Sequence, residues 1–62
     1  QLKNYIKQLK PHYQEIITLR YFREMTYKEM AETLNEPIGN IKIQLLRSKN
    51  LLAEIIKKSP KN

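Results

Sequence analysis

The chain has 62 residues, a formal net charge of +6 and no cysteine, which limits it to one small domain without disulfides. A chain of this length hides only about 60% of its unfolded surface, so stability must come from well-packed helices or from a partner. With one His, one Gly and no Asp, the sequence lacks the residues for a catalytic triad, a glycine-rich phosphate loop or a transition-metal site. We therefore expect no enzyme activity, no cofactor, no metal and no small-molecule substrate.

The positive charge is concentrated towards the C-terminal end. Residues 1–39 carry six basic and five acidic side chains, whereas residues 40–62 carry six basic side chains and one acidic side chain. A polyanion is the expected partner of such a segment, either nucleic acid or an acidic membrane surface. No apolar run is long enough for a membrane helix or a signal peptide, so we expect a cytoplasmic protein without a membrane partner. Because the sequence begins without Met, we expect it to be a piece of a longer protein.

Apolar residues recur with helical spacing along the whole chain, which predicts an all-α fold. A short first helix is indicated by the i, i+3, i+4, i+7 stripe of Leu2, Tyr5, Ile6 and Leu9. Pro11 breaks that helix and suits the first turn of a second one, at about residues 12–23. Apolar residues surround nearly the whole second helix, so we expect it to be central and contacted on several sides. We also expect His12 to lie on the surface and Arg20 to pair with a glutamate of the next helix.

Two further helices are marked by capping signals. Thr26 and Glu29 have the spacing of a capping box, which starts a helix that runs to about Leu34. Asn35 suits a left-handed C-cap, and Pro37 suits the first turn of a fourth helix that covers about residues 38–58. The inner stripe of the third helix is Tyr27, Met30, Ala31 and Leu34. Residues 1–58 are thus predicted to form one domain, with 59–62 as a disordered tail because proline at position 60 cannot continue a helix.

A short helix, a turn of about three residues and a longer basic helix form the helix-turn-helix pattern. On the fourth helix, a stripe predicted to be buried contains Ile38, Ile41, Leu45, Ser48, Leu52, Ile55 and Ile56. The opposite face carries Asn40, Ile43, Leu46, Arg47 and Asn50. Basic, amide and aliphatic side chains together suit the major groove of DNA, where they meet phosphates, base edges and thymine methyls. Gly39 is expected to keep bulk away from a neighbouring backbone.

Four stretches of this sequence resemble region 4 of bacterial sigma factors, most closely the extracytoplasmic-function class. They are Leu9–Tyr13, Leu19–Phe22, Met25–Ala31 and Pro37–Lys42. The resemblance implies a four-helix bundle with a helix-turn-helix and a long C-terminal recognition helix. It also implies recognition of the −35 promoter element, docking on the β flap of RNA polymerase and, as in many members, masking by an anti-sigma factor. Promoter melting belongs to another region of these factors.

Candidate DNA-binding residues follow from the same resemblance. The base-reading positions of the family fall on Asn40, Lys42, Ile43, Leu46 and Arg47, and its backbone contacts fall on Tyr27 and Lys28. Gln44 stands where many members have Arg and completes the candidate set. The reading helix of this chain is thus less basic and more aliphatic than is usual in the family.

Two other functions remain compatible with the sequence. Ile43 and Leu46 would also serve as a hydrophobic anchor of a protein-interaction module, such as a sigma mimic or a docking domain. The helix-turn-helix would equally suit the output domain of another bacterial transcription regulator, which would not bind the polymerase flap.

Overall fold

The computed structural model describes residues 2–59, and within that range the chain forms four α-helices and no strand. They are α1 (Leu2–Ile6), α2 (Pro11–Ile17), α3 (Tyr27–Leu34) and α4 (Ile38–Lys58), and a π-helical segment, Thr18–Phe22, continues α2. The all-α prediction is confirmed, and α4 has the predicted bounds. The molecule measures 39 × 19 × 16 Å, and its long dimension reflects the 21 residues of α4, each adding about 1.5 Å.

The two N-terminal helices follow the sequence signals. Pro11 lies in the first turn of α2, where its missing N–H costs no hydrogen bond. Of the predicted stripe on α1, Ile6 and Leu9 are buried, while Leu2 keeps 48% of its surface exposed. Leu9 lies beyond the end of α1, because the helix has only five residues and ends in a turn.

The π-helical segment forms the C-terminal part of the predicted central helix, and its side chains differ in burial along its length. Its wider turn is closed by the Arg23 N–H, which donates to the Thr18 carbonyl at 3.0 Å. Before and at its start Ile16, Ile17 and Leu19 are buried, but Tyr21 and Phe22 remain 49% and 47% exposed. The expected burial on several sides is therefore wrong at this end, because these two side chains line an open groove beside α1 and α4.

The connection from the π-helical segment to α3 is held by two contacts to Met25. Glu24 adopts a left-handed conformation with φ of 52°. The Met25 N–H donates to the Leu19 carbonyl at 3.0 Å, and Arg20 Nη1 donates to the Met25 carbonyl at 2.8 Å. The predicted pairing of Arg20 with a glutamate is thus wrong, because the turn brings a backbone carbonyl to the guanidinium instead.

The helix-turn-helix has the predicted caps. Thr26 Oγ1 accepts from the Glu29 N–H at 3.1 Å, and Glu29 Oε1 accepts from the Thr26 N–H at 2.8 Å. Asn35 is left-handed with φ of 56°, and the next N–H, of Glu36, donates to the Ala31 carbonyl at 3.0 Å. Three residues, 35–37, then separate α3 from α4. This tight turn sets the angle at which α4 leaves the domain.

The N-terminal half of α4 is anchored in the core. Ile41, Leu45 and Ser48 are buried, and the Ser48 hydroxyl donates to the Gln44 carbonyl at 2.7 Å, which satisfies the buried oxygen. The core of the described residues comprises Ile6, Leu9, Ile16, Ile17, Leu19, Met30, Ile41 and Leu45. Leu52 and Ile55 pack against it while remaining partly exposed.

The two ends of the predicted α4 stripe are not buried. Ile38 is 45% exposed and Ile56 is 42% exposed, because these residues lie in the first and last turns of α4, where neighbouring helices cover less of it. At the C-terminal end, the Ser59 hydroxyl lies 3.1 Å from the Tyr5 hydroxyl and 2.8 Å from the Ile56 carbonyl. The first residue of the predicted tail thus contacts α1. The tail's remaining residues, 60–62, lie outside the described range.

Candidate nucleic-acid interface

Five side chains of α4 form an exposed strip that we name the reading ridge: Asn40, Lys42, Ile43, Leu46 and Arg47. All five are exposed, and the aliphatic members Ile43 and Leu46 keep 52% and 59% of their surface in contact with solvent. Their neighbours Ile41 and Leu45 point into the core. The ridge therefore faces outward because the opposite side of the same helix supplies the hydrophobic stripe.

The ridge combines polar and apolar chemistry in a small space. Asn40, Ile43, Gln44 and Arg47 line a shallow depression. An aliphatic side chain suits a thymine methyl, an amide suits adenine, and a guanidinium suits guanine or a phosphate. This arrangement is able to meet base edges and backbone of a duplex together.

Gln44 differs from the other predicted contacts because it is half-buried and hydrogen-bonded within the protein. Its Nε2 donates to Glu36 Oε1 at 2.6 Å, and its Oε1 accepts from His12 Nε2. His12 Nε2 also lies 3.8 Å from Glu36 Oε2. The two hydrogen bonds of Gln44 leave one N–H and one oxygen lone pair of the amide without a partner among the described residues. His12 is exposed, as the sequence predicts. Helical spacing does not predict its hydrogen bond with Gln44, which is 32 residues further along the chain.

Tyr27 and Lys28 begin α3, beside the reading ridge. Lys28 is exposed and Tyr27 is half-buried. The guanidinium carbon of Arg20 lies 4.7 Å from the centre of the Tyr27 ring, and Lys42 Nζ lies 5.9 Å from the same centre. The structure thus brings two predicted DNA contacts, Tyr27 and Lys42, to one another. It also adds Arg20 to the neighbourhood, which the sequence pattern did not indicate.

The space beside Gly39 is open among the described residues. A Cβ atom built at this position would have no described protein atom within 4 Å, apart from its own chain neighbours and its own helix backbone. The expected protection of a neighbouring backbone is therefore wrong for the protein's own chain.

A second exposed surface lies further along α4, and we name it the apolar groove. It is formed by α1, the last residue of α2, the π-helical segment and the C-terminal half of α4. Its lining residues are Leu2, Ile6, Ile17, Tyr21, Phe22, Lys49, Leu52, Ala53 and Ile56. Apart from Lys49 the lining is hydrophobic, and periodicity did not predict the groove because it assigned most of these residues to buried stripes.

Across residues 2–59, no three histidine, aspartate or glutamate side chains gather into a possible metal site. None of the helices in that range has the length and hydropathy needed to cross a membrane.

A helix-turn-helix whose second helix exposes basic, amide and aliphatic side chains defines a DNA-binding domain. The family model described as Sigma-70, region 4, matches residues 1–52, so the chain belongs to the sigma-70 region 4 family. This is a family of sigma-factor DNA-binding domains whose members interact with DNA and RNA polymerase. Neither the curated proteins nor the solved structures yield a match.

Proposed function

We propose that residues 1–58 form the DNA-binding domain of a bacterial sigma factor and recognise the −35 promoter element in the major groove. The observation that carries this proposal is the reading ridge, whose five members are all exposed on one helix of a helix-turn-helix. The domain acts in the cytoplasm by binding and without enzymatic chemistry.

Base recognition is proposed for the centre of the ridge. Ile43 and Leu46 pack on thymine methyls, while Asn40 pairs with a base edge beside them. Arg47 and Lys42 approach phosphates or guanine edges. Lys28 and the Tyr27 hydroxyl contact the DNA backbone from the start of α3, and Gln44 supports the edge of the ridge through Glu36 and His12.

A salt titration tests whether the ridge neutralises phosphate. Arg47→Gln removes one charge from the ridge, and Lys57→Gln removes one charge from an exposed site in the last turn of α4. The slope of log affinity against log salt is negative, and each lost phosphate contact reduces its magnitude by about 0.9. We expect this decrease for Arg47→Gln alone, measured with duplex DNA selected from a random pool.

The matched pair makes the outcomes clear. Equal slopes for wild type and Arg47→Gln would contradict a phosphate contact there and leave a guanine contact. If Lys57→Gln reduced the magnitude of the slope by the same amount, DNA binding would depend on the total positive charge of the domain and not on the position of that charge on the ridge. A wild-type chain that binds no duplex DNA at low salt would contradict the proposed function as a whole.

Docking on RNA polymerase is proposed for the apolar groove, with the β flap as its occupant. The family interacts with polymerase, and the groove exposes hydrophobic side chains that a protein partner would cover. Along α4, Lys49 of the groove is three residues from Leu46 of the ridge, and residues with this spacing are neighbours on a helix surface. The two partners would therefore approach the domain on adjoining surfaces. An anti-sigma factor would mask the domain by covering either surface.

Two glutamate substitutions test the groove. Phe22 lines it and is 47% exposed, whereas Leu51 is 43% exposed and lies outside it. A buried carboxylate is costly in an apolar interface. We expect Phe22→Glu to weaken binding to the polymerase flap more than tenfold, and Leu51→Glu to change it less than about twofold. Equal effects would place flap binding elsewhere.

The groove also favours a second candidate function, a protein-interaction module without DNA binding. In that case Phe22→Glu would abolish binding to polymerase while the wild-type chain would show no affinity for promoter DNA. The output domain of another transcription regulator would show the reverse, namely DNA binding without flap binding.

A further inference from the structure

We propose that Arg20 is a positioning residue that holds Lys42 in place for a DNA phosphate through the ring of Tyr27. This inference rests on the proposed DNA-binding function and extends it to a side chain outside the reading ridge. Arg20 is on the π-helical segment, Tyr27 begins α3 and Lys42 is in α4. Contacts of Arg20 and Lys42 with the ring of Tyr27 thus connect three elements of the fold.

The first step is the immobilisation of Arg20. The side chain is half-buried, and its Nη1 donates to the Met25 carbonyl at 2.8 Å. The N–H of Met25 is itself bonded to the Leu19 carbonyl at 3.0 Å. Since the acceptor is fixed by backbone, the guanidinium has a defined position and the start of α3 is tied to the preceding segment.

The second step is the contact with Tyr27. The guanidinium carbon lies 4.7 Å from the ring centre, a distance typical of cation–π stacking. Tyr27 packs against the hydrophobic core, and its backbone follows the capping box of Thr26. The ring is therefore held by the core on one side and by Arg20, so it is a rigid platform.

The third step is the effect on Lys42. Its ammonium lies 5.9 Å from the same ring centre and its side chain is exposed. A free lysine samples many rotamers, and binding has to restrict them at an entropic cost. The ring restricts them before DNA arrives, and because the Lys42 side chain is exposed, its ammonium stays accessible to phosphate.

An NMR experiment on the free 62-residue chain tests the arrangement without DNA. We expect the ε-methylene protons of Lys42 to show an upfield ring-current shift that Tyr27→Phe retains and Tyr27→Leu removes. Arg20→Met should reduce the shift, because the platform loses one of its supports. A random-coil shift for Lys42 in the wild type, or no change in Arg20→Met, would overturn the proposal even if the chain binds DNA.

A double-mutant cycle tests the functional consequence on duplex DNA. We expect Arg20→Met to weaken DNA binding about threefold to tenfold in the wild type, and less than about twofold when Lys42→Met is already present. Equal losses in both backgrounds would overturn the proposal. The magnitude of the salt slope is also compared between Lys42→Met and the double variant. A further reduction of about 0.9 in the double variant would show that Arg20 itself contacts a phosphate, which would also overturn the proposal.

A folding control separates positioning from simple stability. Thermal unfolding of each variant shows whether it is folded at the binding temperature. If Arg20→Met unfolds, Arg20→Gln replaces it, since glutamine keeps an N–H donor for the Met25 carbonyl but lacks the charged guanidinium that stacks on the ring. The same dependence on Lys42 is then expected, and its absence would contradict the proposal.

Discussion

The reading ridge and the apolar groove both expose hydrophobic side chains of one helix, but their surroundings differ. Ile43 and Leu46 stand among amides and basic groups, whereas Leu52 and Ile56 line a groove with apolar residues of three other elements. Mixed chemistry suits DNA, where phosphates and base edges lie close together. A nearly continuous apolar lining suits a protein partner. Exposure of a leucine or isoleucine therefore says little until its neighbours are known.

The two surfaces also differ in how firmly the core holds them. Beneath the ridge, Ile41, Leu45 and Ser48 are buried, whereas Leu52 and Ile55 near the groove are only partly buried. A buried stripe fixes both position and rotation of a helix. The half of α4 that carries the ridge is thus more deeply buried on its inner side than the half that borders the groove.

The largest expected effect compares the two sides of α4 with the same substitution. Ile41 is fully buried and Ile43 is 52% exposed. Ile41→Ala should lower the free energy of unfolding by about 3 kcal/mol, because a cavity is left in the core. Ile43→Ala should change it by less than about 0.5 kcal/mol. Urea unfolding measures both, and similar losses would show that Ile43 also packs within the protein.

The next effect concerns base recognition by the ridge. Ile43→Ala should weaken binding to the preferred promoter sequence about fivefold through loss of a thymine-methyl contact, and binding to random DNA less than about twofold. Competition binding with both duplexes measures the ratio. Leu51→Ala, outside the ridge, should leave the ratio unchanged. An equal decrease for preferred and random DNA in Ile43→Ala would rule out direct recognition by this residue.

A smaller effect separates Gln44 from the exposed members of the ridge. Gln44→Ala removes the hydrogen bonds to Glu36 and His12 and should destabilise the fold by about 1 kcal/mol. Its effect on DNA affinity should be smaller than that of Asn40→Ala, whose side chain is exposed. Unfolding and binding measurements on both variants provide the comparison. A larger loss of affinity in Gln44→Ala would show that this amide contributes more to DNA binding than Asn40 does.

The smallest effect tests whether DNA needs the space beside Gly39. The φ of this glycine is not positive, and no described protein atom outside its own helix crowds it. Gly39→Ala should therefore stabilise the domain by about 0.5 kcal/mol, since alanine favours a helix more than glycine. DNA affinity should nevertheless fall if a phosphate backbone passes close to this position. Unchanged affinity would indicate that DNA leaves this residue free.

Local signals in the sequence determined much of this fold. The capping box of Thr26 and Glu29, the left-handed Asn35 and the bounds of α4 involve residues near one another in the chain, and all are present. The outward direction of the ridge was also predictable, because a helix repeats every 3.6 residues and the buried stripe defines its opposite side. Structural features that depend on residues close together in the chain are thus predictable from the sequence alone.

Tertiary structure decided what depends on distant residues. The contact of Arg20 with the Met25 carbonyl requires the left-handed turn at Glu24, and the burial of Gln44 requires a partner in α2. Helical periodicity marks a side chain as apolar, but it does not show whether a neighbouring element covers that side chain. The apolar groove lies where side chains of α1, α2, the π-helical segment and α4 meet, which the spacing within one helix does not show. The sequence by itself therefore determined the helices and the ridge, and only their packing decided the groove and the partners around the ridge.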